Sequence, residues 1–494
     1  MPATVHNTRL ACNYLDMDMT LASPRAPAAG LPAQRIDPQG RAHVDFRAVL
    51  ALALPLMANS AVQIILNLTD MWFVGHISTA ALAAVGAVQW MILAAVFILG
   101  GSSMAVQTLA AHAHGARRYR RAAQAAWTAL WLALCAVPIF IGLGAAGREI
   151  LAPFGFTSRI ADLAQQFWYP RVGGACFGVA AWAMIGFFNG IGRPRVSFVV
   201  AVTTAIANAI FNDLFIFRLG WGVAGSAWAS NVAQAVGFAM AFALFLRLPF
   251  RQSHKSHLAW RPRKRLIREQ IRLGLPMGMM PAADVLGFSV FQMMEVRYGT
   301  VAGAATQMVS VLTSIAYMPG IGIATAATTL VGQSIGAGDR DWAMRLGTRI
   351  ILLAALVMGG IGLALASVGP WLLPFFAGAQ DRNAAAAATL GIQLLWLAAA
   401  YQFFDGLNLG SSMCLRGAGD VRVPVLLVFP VCWLIFLPLA HSLTFAPGQG
   451  WFHFLPQFGY GAPGGWVAVL IYVVLLGATL LLRWRSRAWQ RIRL

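Results

Sequence analysis

The stretch "QTLAAHAHGARRYRRA" at residues 107–122 recurs later in the chain, without a gap, as "TTLVGQSIGAGDRDWA" at residues 328–343. The same offset aligns "LALPLMANSAVQ", which begins at Leu52, with "LGLPMGMMPAAD", which begins at Leu273. Two separate stretches that match at one offset indicate a duplicated sequence. We therefore interpret the chain as two related halves, each of which forms one structural repeat.

The composition indicates a polytopic helical membrane protein. The chain has 494 residues, of which 59% are hydrophobic and 11% are charged, and its mean hydropathy is +0.68. A soluble protein of this length could not bury so much apolar surface. Apolar stretches of about 20 residues recur along the chain, and each is long enough to cross a hydrocarbon core. They lack the short alternating pattern of membrane β-barrel strands.

We predict twelve spanning helices in two lobes of six. The predicted spans are 48–72, 84–111, 123–146, 167–190, 196–217, 222–247, 266–295, 303–333, 344–368, 389–414, 423–446 and 463–484. Because six is even, both lobes enter the membrane from the same side, and the pseudo-two-fold axis that relates them runs along the membrane normal. The predicted order begins with a disordered cytoplasmic tail (residues 1–45) and an N-lobe (46–247). A basic cytoplasmic linker (248–265), a C-lobe (266–484) and a basic cytoplasmic tail (485–494) follow.

The distribution of basic residues predicts the topology. The formal net charge is +20, and all but six of the 36 Lys and Arg residues lie in segments on the same side as the two termini. The exceptions, which we assign to outer loops and outer helix ends, are Arg148, Arg159, Arg171, Arg218, Arg297 and Arg382. This asymmetry follows the positive-inside rule and places both termini in the cytoplasm. The basicity therefore indicates topology and contact with anionic membrane lipid, and it does not indicate binding to nucleic acid.

Neither the cysteines nor the histidines show a metal-binding pattern. The five cysteines lack CxxC spacing and are interpreted as packing residues: Cys12, Cys135, Cys176, Cys414 and Cys432. His112 and His114 border a predicted cytoplasmic loop without further ligands, so we expect solvated loop histidines. Residues 1–45 are rich in Pro, Ala and Arg and do not resemble a signal peptide; translation from Met17 or Met19 is an alternative start.

We single out five of the acidic residues that lie within predicted spans, namely Asp70, Asp213, Asp284, Glu295 and Asp405. A charged side chain at the centre of a spanning helix costs about 2.5–3.5 kcal/mol on insertion scales, so each is a candidate functional residue. No lysine lies in a predicted span, and the arginines lie only at span ends. We therefore expect a proton, a bound cation, water or a cationic substrate to compensate these carboxylates. The alternative is a structural role, as a helix cap or a hydrogen-bonded neighbour.

Polar neighbours of these carboxylates suggest cation sites. Tyr401 precedes Asp405 by one helical turn on the same face. In the first half, Asn208 and Asn212 share a face, and Ser230 adds a hydroxyl from the next helix. Amide, hydroxyl and carboxylate oxygens are hard donors that suit an alkali cation, although each residue alone could serve helix packing.

Two further acids have other predicted roles. Asp213 follows Asn212 and is turned about 100° away from it around the helix axis. Glu295 is expected at the outer mouth beside Arg297, in a surface ion pair rather than in a coupling role. No phosphate-binding GxxxxGK[ST] loop occurs in the sequence, so there is no sign of an ATP-driven motor.

Between about residues 46 and 484, the chain resembles the multidrug and toxic compound extrusion (MATE) family. The motifs that carry the resemblance are "LPLMANSAVQIILNLTDMWFVG" at 54–75, "TTLVGQSIGAGDRDWA" at 328–343 and "CLRGAGDVRVP" at 414–424. The resemblance implies twelve helices in two lobes and drug efflux driven by inward movement of sodium ions or protons. It also implies a bacterial inner-membrane location.

The resemblance assigns roles to particular carboxylates. Asp70 stands at the position of the family's first-helix acid, and Asp405 matches the tenth-helix acid of the NorM-like branch, with Tyr401 as its companion. Asp284 occupies a seventh-helix position that resembles a glutamate in that branch. Asn208 and Ser230 resemble the cation ligands of the first lobe. Asn212 falls where DinF-like members carry an aspartate, so the NorM-like branch is favoured.

These observations predict a monomeric cation-coupled antiporter, not an enzyme, that exports amphipathic organic cations by alternating access. One cation site, which could hold sodium, would consist of Asp284, Asp405 and Tyr401. A second cation site, in the first lobe, would consist of Asp70, Asn208, Asn212 and Ser230. Substrate would contact Asp70 and the two C-lobe acids. Apart from the sodium ion or proton, we expect no cofactor. The alternatives are a lipid-linked saccharide flippase of the same superfamily, another secondary transporter, and a membrane enzyme or receptor.

Overall fold

The protein is an all-helical bundle of two lobes. The computed structural model describes residues 30–154, 157–376, 382–452 and 454–492. Within these ranges, eleven helices are long and apolar enough to span a membrane, and a bent helix pair brings the number of spans to twelve. The predicted fold class, an all-α membrane protein with twelve spanning helices in two lobes, is confirmed.

Sixteen α-helices form the part of the chain that the structure describes. Those of the N-lobe are α1 (Phe46–Gly75), α2 (Thr79–Gly115), α3 (Tyr119–Ala145), α4 (Gly147–Leu151), α5 (Ser158–Gly173), α6 (Ala175–Gly190), α7 (Pro194–Asn212) and α8 (Gly222–Leu246). The linker contains α9 (Leu248–Ser253). The C-lobe contains α10 (Lys264–Tyr298), α11 (Thr300–Gly336), α12 (Arg340–Phe376), α13 (Arg382–Ala418), α14 (Arg422–Pro430), α15 (Leu437–Thr444) and α16 (Gly461–Arg485). Two π-helical segments, Asp213–Arg218 and Val431–Phe436, extend α7 and join α14 to α15.

The fourth span is bent and begins earlier than the sequence predicted. The span bends by 43° between α5 and α6, at Gly174. A side chain at Gly174 would collide with Asn231. The Asn231 amide lies against the break and donates to the Pro170 carbonyl at 2.6 Å. Because the span starts at Ser158 rather than near residue 167, Arg171 lies in the middle of the span and not at its outer end.

Residues 30–45 are folded, so the predicted disordered tail is wrong for this part, and residues 1–29 lie outside the described ranges. Strands β1 (Gln34–Ile36) and β2 (Ala42–Val44) pair antiparallel. Asp37 Oδ1 accepts hydrogen bonds from the backbone of the turn that joins them. The hairpin packs on the C-lobe at the N-terminal end of α12, where Trp342 Nε1 donates to the Pro32 carbonyl at 2.9 Å.

The repeated glycines lie at a symmetric contact between the lobes. A side chain at Gly115 would collide with the backbone of Gln333, and a side chain at Gly336 would collide with the backbone of His112. Each glycine therefore allows one spanning helix to approach the other at backbone distance. In the repeat, Gly115 on α2 corresponds to Gly336 on α11, and His112 corresponds to Gln333. Each contact is therefore the counterpart of the other, as a pseudo-two-fold axis between the lobes requires.

Polar side chains join the lobes in the halves that lie nearest the linker. Gln107 Nε2 donates to Thr325 O and to Thr329 Oγ1, both at 3.0 Å. Gln333 Nε2 donates to the Gly190 carbonyl at 2.9 Å. All side-chain hydrogen bonds between the lobes that occur in the described ranges come from these halves.

The expected solvation of His112 and His114 is wrong, because both lie in the last turn of α2 and are partly buried. His112 Nε2 donates to the Gly417 carbonyl of the opposite lobe at 2.7 Å. The His114 ring packs against the rings of Tyr119 and His254. Helix α2 runs on to Gly115 and carries both histidines into packed surroundings.

The linker between the lobes is attached to the N-lobe. Trp127 Nε1 donates to Ser256 O, and Trp131 Nε1 donates to Trp260 O, both at 2.8 Å. Both tryptophans lie on α3, so two side chains of one helix hold the linker in place. Burial lowers the pKa of the linker residue His254 to about 4, and the nearby His114 adds to this effect.

Candidate functional site

The structure brings together Asp70 and the three polar residues predicted around its carboxylate. Asn212 Nδ2 donates to Asp70 Oδ1 at 2.7 Å, and Ser230 Oγ donates to Asp70 Oδ2 at 3.2 Å. Asn208 links these two, because its Oδ1 accepts from Asn212 at 3.0 Å and its Nδ2 lies 3.4 Å from Ser230 Oγ. Helices α1, α7 and α8 therefore converge on one carboxylate. Asp70 is only partly buried, whereas its three partners are buried.

A fixed cation lies near Asp70, which corrects the expectation that the arginines lie only at span ends. The Arg171 guanidinium interacts electrostatically with the Asp70 carboxylate. Its Nη1 donates to Asn231 Oδ1 at 3.1 Å, and Asn231 in turn donates to Pro170 O at the bend of the span. The bend and Asn231 together hold the guanidinium inside the N-lobe. Sequence reasoning missed this cation because the fourth span was predicted to begin at residue 167, which placed Arg171 at its outer end.

The second lobe carries two carboxylates that interact with each other. Asp284 on α10 and Asp405 on α13 lie within electrostatic range, and both residues are partly buried. Tyr472 of α16 donates from its hydroxyl to Asp284 Oδ1 at 2.6 Å. Asn408 Nδ2 donates to Asp405 Oδ1 at 3.2 Å. Three helices therefore supply this site.

Two further phenols line the C-lobe site. Tyr401 and Asp405 interact electrostatically, as the helical spacing predicts, and the Tyr401 hydroxyl accepts from Gln402 Nε2 at 3.3 Å. Tyr317 interacts with both carboxylates. Sequence reasoning missed Tyr317, Tyr472 and Asn408. Their signal was a lone polar side chain in an apolar span, as in "LIYVVLL", but only the packing of the helices brings them to the carboxylates.

The two lobes therefore differ in how their carboxylates are compensated. In the N-lobe, Asp70 accepts from Asn212 and Ser230, and the Arg171 guanidinium acts on it electrostatically without forming an ion pair. In the C-lobe, the donors recorded for Asp284 and Asp405 are neutral, and none of the ion pairs in the described ranges involves either carboxylate. The C-lobe thus has two adjacent acids without a resident cation.

Asp213 lies apart from the Asp70 network. It begins the π-helical segment after α7 and pairs with Arg218 Nε at 2.9 Å, with both side chains substantially exposed. The preceding residue, Asn212, makes the contact with Asp70. The predicted rotation of Asp213 away from the shared face of Asn208 and Asn212 accounts for this arrangement.

The predicted surface ion pair between Glu295 and Arg297 is wrong. Residues two apart on a helix point in nearly opposite directions, and Glu295 is fully buried. Its Oε1 accepts from Thr444 Oγ1 at 3.3 Å, and its Oε2 has no hydrogen-bond partner in the structure. The Arg297 guanidinium lies over the Trp451 ring instead.

No group of three or more His, Cys, Asp or Glu side chains in the described ranges has the arrangement of a metal site. Cys135, Cys176, Cys414 and Cys432 carry free thiols, and Cys12 lies outside the described residues. The sodium site at Asp284, Asp405 and Tyr401 stays a prediction. It would use carboxylate and phenol oxygens, the hard donors that an alkali cation prefers.

Comparison with known proteins identifies the family. The MatE family model matches residues 55–214 and 276–441, that is, each half of the duplication separately. A protein of Agrobacterium fabrum named "Probable multidrug resistance protein NorM" is 30% identical over 83% of this chain and 90% of its own length. A protein of the same name from Pseudomonas aeruginosa is 31% identical over 90% of both chains.

Solved structures show the same fold. The "Outward-facing conformation of a multidrug resistance MATE family transporter of the MOP superfamily" superposes with a TM-score of 0.78 at 19% identity, and covers 90% of this chain and 96% of its own. The "Crystal structure of MATE in the straight conformation" has a TM-score of 0.77 at 20% identity and the same coverage. The resemblance seen in the motifs is confirmed: the chain belongs to the MatE family of multidrug and toxic compound extrusion proteins.

Proposed function

We propose that this protein is a multidrug efflux antiporter of the NorM type, which exports amphipathic organic cations in exchange for sodium ions or protons. The observation that carries this proposal is the pair of adjacent C-lobe carboxylates, Asp284 and Asp405, with neutral donors only. Relatives that share about 30% of the sequence are named multidrug resistance proteins. The protein acts as a monomer in the bacterial inner membrane, with both termini in the cytoplasm.

The C-lobe residues divide the work of coupling. Asp284 and Asp405 receive the coupling cation, because two negative charges within electrostatic range of each other are both favoured when a proton, a sodium ion or a cationic drug binds. Tyr472 and Asn408 orient the two carboxylates. Tyr401 and Tyr317 offer phenol oxygens and ring faces, which favour a cation over a neutral molecule.

The N-lobe site has a different role in this proposal. The Arg171 guanidinium repels a second cation near Asp70, so cation binding at Asp70, Asn208, Asn212 and Ser230 is weaker than at the C-lobe pair. Asp70 contributes chiefly to the attraction of a cationic substrate. The coupling ion therefore enters through the C-lobe.

Exchange follows from competition for one site. The lobes are joined in their cytoplasmic halves, and we propose that this is the outward-facing state. A drug and a coupling ion that compete for Asp284 and Asp405 each bias the same two-state bundle, so neither needs a separate gate. Drug release outside would be followed by ion binding and by opening towards the cytoplasm.

The test is efflux of a fluorescent organic cation from proteoliposomes, with the sodium and pH gradients varied independently. Asp405→Asn is compared with Asp213→Asn, which changes an exposed carboxylate that is already paired with Arg218. We expect gradient-driven efflux to fall at least tenfold in Asp405→Asn and to persist in Asp213→Asn. Wild-type efflux that ignores both gradients, or full activity of Asp405→Asn, would contradict the proposal.

A further inference from the structure

A basic groove lies at the cytoplasmic end of the C-lobe, apart from both carboxylate sites. It has a volume of about 690 Å³ and lies between α10 and α14. Four exposed cationic side chains line it: Lys264, Arg268 and Arg272 from α10, and Arg422 from the first turn of α14. The first three are spaced four residues apart and therefore form a stripe along one face of the helix. Two helices thus direct their basic groups into one concavity.

These four cations have no protein carboxylate to balance them. None of them takes part in an ion pair or a side-chain hydrogen bond recorded for the described residues. The acids next to the groove in the sequence pair elsewhere. Glu269 binds Arg121 of the N-lobe at 3.1 Å, and Asp420 binds Arg483 of α16 at 2.8 Å. The concentrated positive charge is therefore available to an anion from outside the chain.

An apolar strip continues the groove towards the membrane interior. Ile267, Ile271 and Leu275 lie on α10 beside the basic stripe, and Ile271 and Leu275 are 45% and 47% exposed. On α14, Leu426 follows Arg422 by one turn and is 70% exposed. Exposed aliphatic side chains within a spanning helix face acyl chains rather than water. The groove is thus cationic at its cytoplasmic end and apolar below it.

We propose that this groove binds an anionic phospholipid of the cytoplasmic leaflet. The phosphate lies among Arg268, Arg272 and Arg422, and the acyl chains lie along Ile271 and Leu275. Arginine suits this role because its planar guanidinium binds phosphate oxygens in pairs. Basic grooves between spanning helices on this side of a membrane have the charge and depth that such lipids require.

The positive-inside rule alone does not account for the arrangement. That rule predicts basic residues anywhere in cytoplasmic segments. It does not predict that cations from two helices share one groove above an aliphatic strip. It also does not predict that both neighbouring carboxylates are engaged elsewhere. A soluble anion would use the cations but leave the apolar strip without a ligand.

The experiment measures lipid binding by native mass spectrometry of the purified full-length protein, titrated with phosphatidylglycerol or phosphatidylcholine. The test variant carries three substitutions in the groove, Arg268→Gln, Arg272→Gln and Arg422→Gln. The control variant carries two substitutions, Arg345→Gln and Arg349→Gln. The control removes an exposed arginine pair, also four residues apart, from the cytoplasmic end of α12 outside the groove. Thermal stability in each lipid gives a second readout.

We expect wild type and the control to retain phosphatidylglycerol in preference to phosphatidylcholine and to be stabilised by it. Each arginine removed from the groove should weaken binding about 5-fold. The single variant Arg272→Gln, with its 5-fold loss, keeps the test decisive if the triple variant does not fold. Equal binding of both lipids, an equal loss in the control, or displacement of the lipid by millimolar glycerol phosphate would overturn the proposal.

Discussion

Replacing Gly101 by alanine is expected to shift the protein away from the conformation in which the cytoplasmic halves of the lobes are closed. Gly101 lies on α2, and a side chain there would collide with the Gly274 carbonyl of α10 in the opposite lobe. The obstacle is backbone rather than a flexible side chain, so the two helices have to separate to admit a methyl group.

The size of the shift in the conformational equilibrium depends on two effects of the substitution. Alanine favours a helix over glycine by about 1 kcal/mol, but this gain applies to every conformation in which α2 is helical. Overpacking costs about 1–3 kcal/mol and applies only to the state in which the lobes are closed at Gly101. The equilibrium between the two conformations should therefore shift about 5- to 150-fold towards cytoplasmic opening.

The same helix provides a matched control. Gly86 also lies within α2, and a side chain there would meet nothing within 4 Å. Gly86→Ala should have the same helix-propensity gain without the collision, so it should preserve the conformational equilibrium and raise thermal stability slightly.

Distance measurements by electron paramagnetic resonance would detect the shift. Spin labels at Ala116 and Ala337, which are exposed positions at the cytoplasmic ends of α2 and α11, report the separation of the lobes. Gly101→Ala should populate a longer distance that is rare in wild type and in Gly86→Ala. If Gly101→Ala folds and gives the wild-type distance distribution, the reasoning about the glycine contact is refuted.

Three other outcomes are expected. Tyr472→Phe removes the hydroxyl that orients Asp284. The coupling-ion concentration for half-maximal efflux should rise about 3-fold, which is equivalent to about 0.6 kcal/mol. An unchanged concentration would contradict the orienting role of Tyr472. Glu295→Gln keeps an oxygen that can accept from Thr444 and removes a buried carboxylate oxygen without a partner. The melting temperature should therefore stay the same or rise. A drop of several degrees would show that the Glu295 carboxylate stabilises the fold. Burial lowers the pKa of His254 to about 4, so its contribution to stability is complete above its ordinary pKa of 6.5 and is lost as the pH falls towards 4. The melting temperature of wild type should therefore fall more over this pH range than that of His254→Gln. Parallel profiles of melting temperature against pH would exclude the effect.

The sequence predicted the features that depend on local pattern. Apolar run length and the distribution of basic residues led to twelve spans in two lobes, because the thickness of the bilayer imposes a length on every spanning helix. The repeat at a constant offset predicted the duplication, which the family match to both halves supports. Helical spacing also predicted that Tyr401 lies near Asp405 and that Asn208 and Asn212 share a face.

The incorrect predictions concern positions where the environment comes from other helices. Glu295 was assigned to the surface because its neighbour in sequence is an arginine, but helix rotation turns it towards Thr444 in the interior. Arg171 was placed at the outer end of a span predicted to begin at residue 167, but the span begins at Ser158 and its bend places Arg171 near Asp70. Residues 30–45 looked disordered because their packing surface belongs to the C-lobe.

The amino-acid sequence by itself determined that this chain spans the membrane twelve times as a duplicated bundle, since hydrophobicity and chain length act locally. Only the tertiary structure decided which acids have a resident cation and which do not. Asp70 shares its surroundings with Arg171, whereas Asp284 and Asp405 have neutral donors from helices distant in the chain. The reason is physical: the electrostatic energy of a carboxylate depends on the charges within a few ångströms of it, and those charges are set by the packing of helices.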